Sequence, residues 1–321
     1  MDPLEAKPQF RLIGEGAANV VFKHESDESS IPQGYLLRVP KANTVAYPYS
    51  DLQQYWESSI QPLFQPHELV QQHLIPITPS TVAHLNTVLT TSDPLRRHDF
   101  RGSRILATAT TAMLVQDMAA KDPLDTVFEF KPKWLSQSPS APSTSTRCRN
   151  CAREVQKHAS HPPSSSKPPK PIDCPLLLLD CASPLSLSQS ITSLAPTLEP
   201  GSPNYARLAH WLQTNTLLTR LRDLQTSLDP AGPLAADPED PDFQLAMTLR
   251  DCSGFVRIPA DADAPVEARF ADLDKKNREA KLEYWRATER GLIEGGYYEG
   301  REEEGRVKTN CLFERGGSGL S

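Results

Sequence analysis

Residues 10–23, FRLIGEGAANVVFK, decide how the chain begins to fold. Residues 10–13 and 20–23 are apolar segments of strand length, and the turn between them contains two glycines. A third strand is predicted at 35–39, which prolines bound on both sides. Helical patterns dominate the later part of the chain. Because strands come first and helices follow, the sequence predicts an α+β fold with a sheet-rich N-terminal lobe.

The spacing of apolar residues predicts the remaining elements. Ser202 and Pro203 form a typical helix start, because serine caps the first turn and proline fits the first helical position. The expected helices are 50–63, 66–73, 203–221 and 276–290, and the further expected strands are 105–118, 126–133 and 243–249.

Segments rich in Ser, Pro or Asp are expected to be poorly ordered, because they offer few apolar groups to bury. These segments are 136–146, 160–171 and 229–242. The sequence therefore predicts an N-terminal lobe at 1–125, a C-terminal lobe at 126–295 and a flexible tail at 296–321.

Composition restricts the class of protein. The 321 residues carry a formal net charge of -6, which argues against a general nucleic-acid-binding surface. The six cysteines are scattered, unlike those of a small disulfide-rich domain. No signal-peptide pattern is visible, and the longest apolar run is too short to span a bilayer. We therefore expect a monomeric intracellular protein, nuclear or cytoplasmic, that binds neither a membrane nor nucleic acid directly.

The turn of the first hairpin is a candidate phosphate-binding loop. Small residues there allow backbone N–H groups to approach phosphate oxygens, as in the glycine-rich loop of kinases. The turn consists of Gly14, Glu15, Gly16, Ala17, Ala18 and Asn19. An ordinary tight hairpin explains the same residues.

Arg38 lies in the apolar segment LLRV of the third predicted strand. A cation in such a strand needs an anion or a route to water. In kinase-like lobes the strand after the glycine-rich hairpin carries the cation that holds the nucleotide phosphates. An arginine on an edge strand remains the alternative.

The segment 128–134, FEFKPKW, alternates aromatic and charged residues. On a strand, Glu129, Lys131 and Lys133 would share one face and the aromatic residues the other. This pattern is typical of a strand that lines a polar cleft, although an exposed sheet face has the same pattern.

A cationic stripe follows in RCRNCAREVQK, residues 147–157. On a helix, Arg149, Arg153 and Lys157 fall on one side, where their charges repel unless an anion lies against them. Residues 131–170 contain eight Lys or Arg and one acidic residue, a local balance of +7 in a chain of net -6. This concentration indicates a polyanionic ligand. A basic disordered linker is the open alternative.

The same stretch contains a possible zinc site. Cys148 and Cys151 have the spacing of a zinc-ligand pair, and His158 and His161 follow. The sequence leaves open whether these cysteines bind zinc.

Carboxylates in the C-terminal half complete the candidate site. Phosphoryl transfer uses one carboxylate to orient or deprotonate the attacking hydroxyl and others to hold Mg²⁺. Asp251 follows the predicted strand 243–249, and Asp272 and Asp274 precede the predicted helix 276–290. Helix capping is the alternative role for the last two.

The order of these blocks resembles the inositol-pentakisphosphate 2-kinase family, in the form of a fungal member. The matching blocks are GEGAANVV, LLRVPK, EFKPKW, CRNCAREVQK, RDCS and DLDKK, and the likeness spans roughly residues 10 to 285. The resemblance implies a two-lobed, kinase-like fold that uses ATP and Mg²⁺. It also implies transfer of a phosphoryl group to the 2-hydroxyl of inositol pentakisphosphate, giving the hexakisphosphate.

The resemblance also implies roles for the matching positions. The turn from Gly14 to Asn19, with Arg38 and Glu129, would bind the nucleotide. Asp251 and Lys131 would be catalytic, and Asp272 and Asp274 would hold the metal. The implied substrate-binding residues are Lys133, Arg149, Arg153, Lys157, Asn215, Lys276 and Tyr284.

Two other functions remain open at this stage. One is a kinase of the same broad fold that acts on a protein or a small alcohol, which would not need the cation cluster. The other is a catalytically inactive kinase-like scaffold that binds an acidic partner or an inositol phosphate.

Overall fold

The computed structural model describes residues 10–25, 31–42, 44, 47–160, 172–237, 239–301 and 309–316. The chain divides into two compact units, Met1–Ala119 and Ala120–Ser321. Both units contain helices and strands, so the predicted α+β class is confirmed.

The described part of the first unit contains one five-stranded antiparallel sheet. Its strands are β1 Phe10–Glu15, β2 Asn19–His24, β3 Tyr35–Pro40, β4 Gln72–Pro76 and β5 Thr111–Gln116. The spatial order is β1-β2-β3-β5-β4. Alternate side chains of β2 and β3 are buried, namely Val20, Phe22, Leu37 and Val39. The predicted hairpin and third strand are confirmed.

Two α-helices lie in the described part of the first unit. Helix α1 spans Tyr49–Tyr55 and continues in tighter and wider helical turns to Leu63, which confirms the helix expected at 50–63. Helix α2, Pro79–Ser92, begins where the Thr78 side chain accepts a hydrogen bond from the N–H of Thr81. It buries an apolar face against the sheet and was not predicted.

The prediction of a helix at 66–73 is wrong. A single 3₁₀ turn, Pro66–Glu68, is closed by a capping box, and β4 begins at Gln72. The strand expected at 105–118 is shorter than predicted, because β5 begins at Thr111 and Ile105 makes only an isolated bridge.

The second unit contains a three-stranded antiparallel sheet. Its strands are β6 Thr126–Phe130, β7 Ser253–Ile258 and β8 Glu267–Ala271, with β7 in the centre. Gly254 on β7 faces the Phe130 ring so closely that an added Cβ would lie 2.5 Å from a ring carbon. Only glycine therefore fits this position without displacing the ring.

Helices form the rest of the described second unit. They are α3 Arg149–Ser160, α4 Pro184–Leu194, α5 Pro203–Thr214, α6 Leu217–Ser227, α7 Pro241–Leu249 and α8 Arg278–Glu294. The Ser202 side chain caps α5 as predicted, by accepting from the N–H of Tyr205. Among the helices of the described ranges, none is long and apolar enough to cross a membrane.

Three predicted elements of this unit are corrected. The stretch 243–249, expected as a strand, belongs to α7, and all seven of its side chains are buried. The helix expected at 203–221 is two helices, because Asn215 is extended and ends α5. The predicted strand 126–133 ends at Phe130.

The segments expected to be poorly ordered are packed where the structure describes them. In 136–146, Ser138 is buried and donates a hydrogen bond to Glu289. In 229–242, Asp229 is buried against Arg250. In the tail expected to be flexible at 296–321, Cys311 is fully buried. Buried polar partners hold these Ser-, Pro- and Asp-rich segments in place, and residues 161–171 lie outside the described ranges.

Candidate active site

One end of the three-stranded sheet brings distant segments of the chain together. Phe130 pairs with Gly254, and Ser253 pairs with Ala271. The last residues of β6 and β8 therefore lie beside the first residues of β7. Three residues at these strand ends therefore become neighbours. Lys131 follows β6, Asp272 follows β8, and Asp251 lies two positions before β7.

Lysines surround the carboxylate of Asp251. Lys276 Nζ donates to Asp251 Oδ2 at 2.9 Å, and Lys133 Nζ lies 3.6 Å from Oδ1. Lys131 Nζ donates to the backbone carbonyl of Asp251 at 3.2 Å and to Asp272 Oδ2 at 2.7 Å. The structure thus brings together five of the predicted site residues, all in the second unit.

This arrangement keeps Asp251 ionised. Partial desolvation raises the pKa of Asp251, but the charge and hydrogen bond of Lys276 and the charges of Lys133 and Lys131 outweigh it. The net pKa lies below the ordinary value. Burial lowers the pKa of Lys276, but the neighbouring carboxylates of Asp251 and Asp272 raise it above its ordinary value. The pair is therefore charged on both sides at neutral pH.

Two residues of this cluster have left-handed backbones. Lys133 has φ 58° and Asp272 has φ 56°, and they are the non-glycine residues with positive φ among those described. This conformation is unfavourable for residues with a Cβ atom. Such strain is typical of positions where a side chain is held for function.

A cavity of about 330 Å³ opens beside Asp251 within the second unit. Its lining contains two acidic residues, Glu154 and Asp251. The cationic lining residues are Lys133, Arg149, Arg153, Lys157, Arg250, Lys276 and Lys281. This excess of positive charge suits the cavity to an anionic ligand.

Helix α3 presents its cationic stripe to this cavity, and the predicted helix is confirmed. Arg149, Arg153 and Lys157 all line the cavity, while Cys151 and Val155 are buried on the other side of the helix. Arg153 Nη2 donates to the hydroxyl of Tyr284 at 3.3 Å. This hydrogen bond lowers the pKa of Tyr284.

Arg149 is buried, whereas a residue of an exposed cationic stripe would face solvent. Its Nε donates to Glu289 Oε2 at 2.7 Å, and its guanidinium lies 4.2 Å from the ring centre of Trp134. Glu289 is fully buried. A buried carboxylate therefore fixes the orientation of Arg149 at the cavity wall.

Sequence analysis missed Arg250 as a site residue. Its guanidinium also lies over the Trp134 ring, 3.6 Å from the ring centre. The same group pairs with buried Asp229. Burial lowers the pKa of Arg250 to about 10, so the side chain stays protonated at neutral pH. Its position directly before Asp251 in the RDCS block was the available signal. Lys281, also missed, lines the cavity from α8.

In the first unit, the glycine-containing turn joins β1 to β2. The N–H of Gly16 donates to the carbonyl of Asn19 at 2.9 Å. The amide of Asn19 satisfies both of its neighbours when its oxygen accepts from Arg38 Nη2 and its nitrogen donates to the Tyr49 hydroxyl. The predicted residues Asn19 and Arg38 are therefore in contact.

The side chain of Glu15, predicted to bind the nucleotide, is occupied by other partners. Its side chain is buried and forms ion pairs with Lys41 and Arg96. Burial raises the pKa of Glu15, but the hydrogen bonds and charges of Arg96 and Lys41 lower it by more. The net pKa therefore lies below the ordinary value. The carboxylate is occupied by these two cations, so a ligand could contact Glu15 only through its backbone.

Several predicted residues lie elsewhere or act differently. Asn215 is not available to a substrate, because its amide donates to the carbonyls of Trp211 and Leu212 and accepts from the N–H of Leu218. It joins α5 to α6. Glu129 is exposed on β6 and accepts from Ser253 Oγ at 2.7 Å.

The capping alternative for Asp272 and Asp274 is also wrong. Helix α8 is capped by Asn277, whose side chain accepts from the N–H of Ala280. The carboxylate of Asp272 pairs with Lys131 instead. Both aspartates thus precede the helix without capping it.

The cysteine pair at the start of α3 has other neighbours than the sequence suggested. Cys148 and Cys151 lie with Cys174 and Cys311 in one buried group, and His158 is not part of it. His161 lies outside the described residues.

Two comparisons with known proteins bear on the family of the chain. The family model for inositol-pentakisphosphate 2-kinase matches residues 13–291. An inositol-pentakisphosphate 2-kinase of Yarrowia lipolytica (strain CLIB 122 / E 150) is 34% identical over 187 residues. That alignment covers 58% of this chain and 56% of the relative, so the chain spans little more than half the length of the relative. Since the family model covers most of the sequence, the chain belongs to the inositol-pentakisphosphate 2-kinase family.

Proposed function

We propose that the chain transfers the γ-phosphoryl group of ATP to the 2-hydroxyl of inositol 1,3,4,5,6-pentakisphosphate, which gives inositol hexakisphosphate. Family membership supports an inositol phosphate kinase. The observation that carries the specific substrate is the cavity lined by seven cationic residues and only two acidic ones, Asp251 and Glu154.

The charge of the cavity matches that of the proposed substrate. Inositol pentakisphosphate carries about ten negative charges at neutral pH, from the ionisation of phosphate monoesters. Arginines at the wall offer planar donors to phosphate oxygens, and lysines offer point charges. A kinase for a neutral alcohol would gain nothing from this lining, so the charge favours a highly phosphorylated ring.

Asp251 is the residue that acts on the acceptor hydroxyl. Its ionised carboxylate orients the 2-hydroxyl and accepts its proton as the oxygen attacks the γ-phosphorus of ATP. A bond forms between that oxygen and the γ-phosphorus, the bond from the γ-phosphorus to the bridging oxygen breaks, and ADP leaves. The lowered pKa keeps Asp251 ionised at neutral pH, so its carboxylate is ready to orient the hydroxyl and accept its proton.

The lysines around Asp251 stabilise the transferred phosphoryl group. Lys131 lies between Asp251 and Asp272, and it is the candidate for contact with the equatorial oxygens. Lys133 and Lys276 line the cavity and are candidates for the phosphates of the inositol ring. Their pairing with carboxylates holds them in place before a ligand arrives.

The first unit is the proposed nucleotide-binding lobe of a two-lobed, kinase-like fold. A Cβ atom added at Gly14 or Gly16 would meet nothing within 4 Å, and neither residue has a positive φ. The fold itself therefore does not require glycine there, whereas close approach of a phosphate does. Arg38, held by Asn19, is the candidate cation for the phosphates. Glu129 is, by its resemblance-implied role, a further candidate for the nucleotide.

Asp272 and Asp274 are the proposed ligands of Mg²⁺. Magnesium prefers carboxylate oxygens and usually needs only one or two from the protein beside nucleotide phosphates. The Asp272 side chain is half exposed and free of the capping role, which fits this assignment. When bound, the ion would neutralise charge on the nucleotide phosphates.

The test is to incubate the purified chain with ATP, Mg²⁺ and inositol pentakisphosphate and to separate the products by ion-exchange chromatography. Hexakisphosphate and ADP are expected in equal amounts. Asp263→Asn, in an exposed loop, is the matched control for Asp251→Asn and should leave the rate unchanged. A folded chain that binds the pentakisphosphate but yields no hexakisphosphate would favour an inactive scaffold instead.

A further inference from the structure

Four cysteines from three separate segments meet in the second unit. Cys148 and Cys151 lie at the start of α3, Cys174 precedes the turn Pro175–Leu179, and Cys311 lies near the end of the described chain. All four are buried, and their Sγ atoms lie within 4.8 Å of one another.

Two of the sulfur separations match those of a tetrahedral metal site, and the others are no longer than 4.8 Å. Zinc–sulfur bonds are about 2.3 Å long, so two sulfurs at the corners of a tetrahedron around zinc lie about 3.8 Å apart. Cys148 Sγ lies 3.8 Å from Cys174 Sγ, and Cys174 Sγ lies 3.9 Å from Cys311 Sγ. The four sulfur atoms thus already surround a centre of the size of one metal ion.

Neither a disulfide nor an ordinary apolar core explains this group equally well. A disulfide needs sulfurs about 2.05 Å apart, and all four cysteines are free. Single buried cysteines are common core residues, but here four converge from segments far apart in sequence. The backbone N–H of Cys148 also points at Cys311 Sγ, 3.1 Å away. Such a donor suits a metal-bound thiolate, whose charge it offsets.

We propose that Cys148, Cys151, Cys174 and Cys311 bind one structural Zn²⁺ ion. Four thiolates in a closed, buried set leave no open position for a substrate or water, so the site is structural and not catalytic. Cys311 lies beyond residues 13–291 that the family model matches. The fourth ligand therefore comes from a part of the chain that the family comparison does not describe.

The ion would fix the helix that carries the cationic stripe. Cys151 is on the buried side of α3, and Arg153 and Lys157 line the cavity from the same helix. The bridge between Ile172 and Thr309 brings the other two ligand segments side by side. Loss of the ion should thus loosen α3 and weaken anion binding in the cavity, a consequence that rests on the proposed function, whereas the metal site itself does not.

The experiment measures metal in the full-length chain, purified without chelators, by inductively coupled plasma mass spectrometry. About one zinc ion per chain is expected. Cys174→Ser and Cys311→Ser should each retain at least about tenfold less zinc. Cys181→Ser is the matched control, because Cys181 is also buried but its thiol donates to backbone carbonyls outside the group. It should keep the native zinc content.

A second measurement covers the case in which the serine variants do not fold. Native chain loaded with Co²⁺ in place of zinc should show the intense visible absorption of tetrahedral cobalt thiolate. A native chain that holds no metal and gives no such spectrum would overturn the proposal, as would full zinc content in Cys311→Ser or iron in place of zinc. Because zinc content is measured without substrate, a failure to form hexakisphosphate leaves this test unaffected.

Discussion

Lys276 Nζ donates a hydrogen bond to Asp251 Oδ2 over 2.9 Å, and this contact joins the residue before the cap of α8 to the residue two positions before β7. The carbonyl of Lys276 accepts from Gln244 of α7 at 2.5 Å. The backbone of Lys276 is thus fixed independently of its side chain. The Asp251 carboxylate consequently has a defined position at the cavity wall.

The first prediction concerns the pKa of Asp251. It should titrate below 3.8, its ordinary value, because the neighbouring lysines favour the charged form. Lys276→Met should raise this pKa, since Lys276 makes the largest favourable contribution. Because the folded pKa is lowered, the stabilisation is present above the ordinary value and is lost as pH falls through the folded pKa. Carbon-13 NMR of the aspartate carboxyls measures both values, and an unchanged pKa in the variant contradicts the assignment.

The second prediction concerns the left-handed backbone of Lys133. Lys133→Ala and Lys133→Gly both remove the ammonium group, but only glycine relieves the strain at φ 58°. Lys133→Gly should therefore be more stable than Lys133→Ala by about 1 kcal/mol in denaturant unfolding. At Lys157, inside α3, the order should reverse, because alanine favours a helix over glycine by about 1 kcal/mol. If alanine is also more stable than glycine at position 133, the backbone of Lys133 is not strained.

The third prediction concerns Glu289. This fully buried carboxylate accepts hydrogen bonds from Arg149 Nε and Ser138 Oγ, each at 2.7 Å, and from the Tyr298 hydroxyl at 2.5 Å. Glu289→Ala should lower the free energy of unfolding by about 3–5 kcal/mol, because it leaves Arg149 buried without its counter-charge. Glu283→Ala, exposed on the same helix, should cost about 1 kcal/mol or less. Equal losses in the two variants would contradict this role.

The fourth prediction concerns Glu15, the last residue of β1. Glu15→Gln should lower the stability of the first unit by about 3 kcal/mol, because two buried cations, Lys41 and Arg96, lose their shared partner. Faster amide hydrogen exchange in β1 and β2 is the measure. Glu25→Gln removes a solvent-exposed pair with Arg11 and should leave these rates within a factor of about five. If Glu15→Gln exchanges no faster than Glu25→Gln, the network does not hold the turn.

Local patterns were enough to predict much of the fold. The first hairpin, the cap at Ser202 and the helix of the cationic stripe depend on neighbouring residues, so sequence showed them. Helix α7 was not recognised, because all its side chains at 243–249 are buried and only Gln244 and Thr248 interrupt the apolar run. A short run that is mostly apolar and fully buried looks much the same as a buried strand.

Part of the candidate site could also be predicted, because some of its residues belong to local motifs. Lys131, Lys133 and Asp251 lie at the ends of strands or beside them, so motif order located them. The hydrogen bonds that commit Asn215 to the junction of α5 and α6 depend on the break between these helices, which the apolar stripe concealed. The proposed role of Cys311 depends on its contact with Cys174, 137 residues away in the sequence, and no local pattern reports such a contact.

The central claim is that Asp251 acts on the acceptor hydroxyl and that the surrounding cations bind the phosphates. Asp251→Asn keeps the shape of the side chain and removes its charge, so turnover and binding can be separated. Its kcat should fall by roughly 10² to 10⁴, the usual contribution of a general base. Its dissociation constant for inositol pentakisphosphate, measured by calorimetry, should stay the same or decrease, because a negative charge leaves the cavity.

The most direct measurement is therefore kcat and the dissociation constant of the native chain and Asp251→Asn on the same preparation, with Mg²⁺-ATP present for kcat. The account predicts a large loss of kcat with undiminished affinity for the pentakisphosphate. Native kcat in Asp251→Asn, or a loss of affinity that accounts for the whole effect, would contradict it.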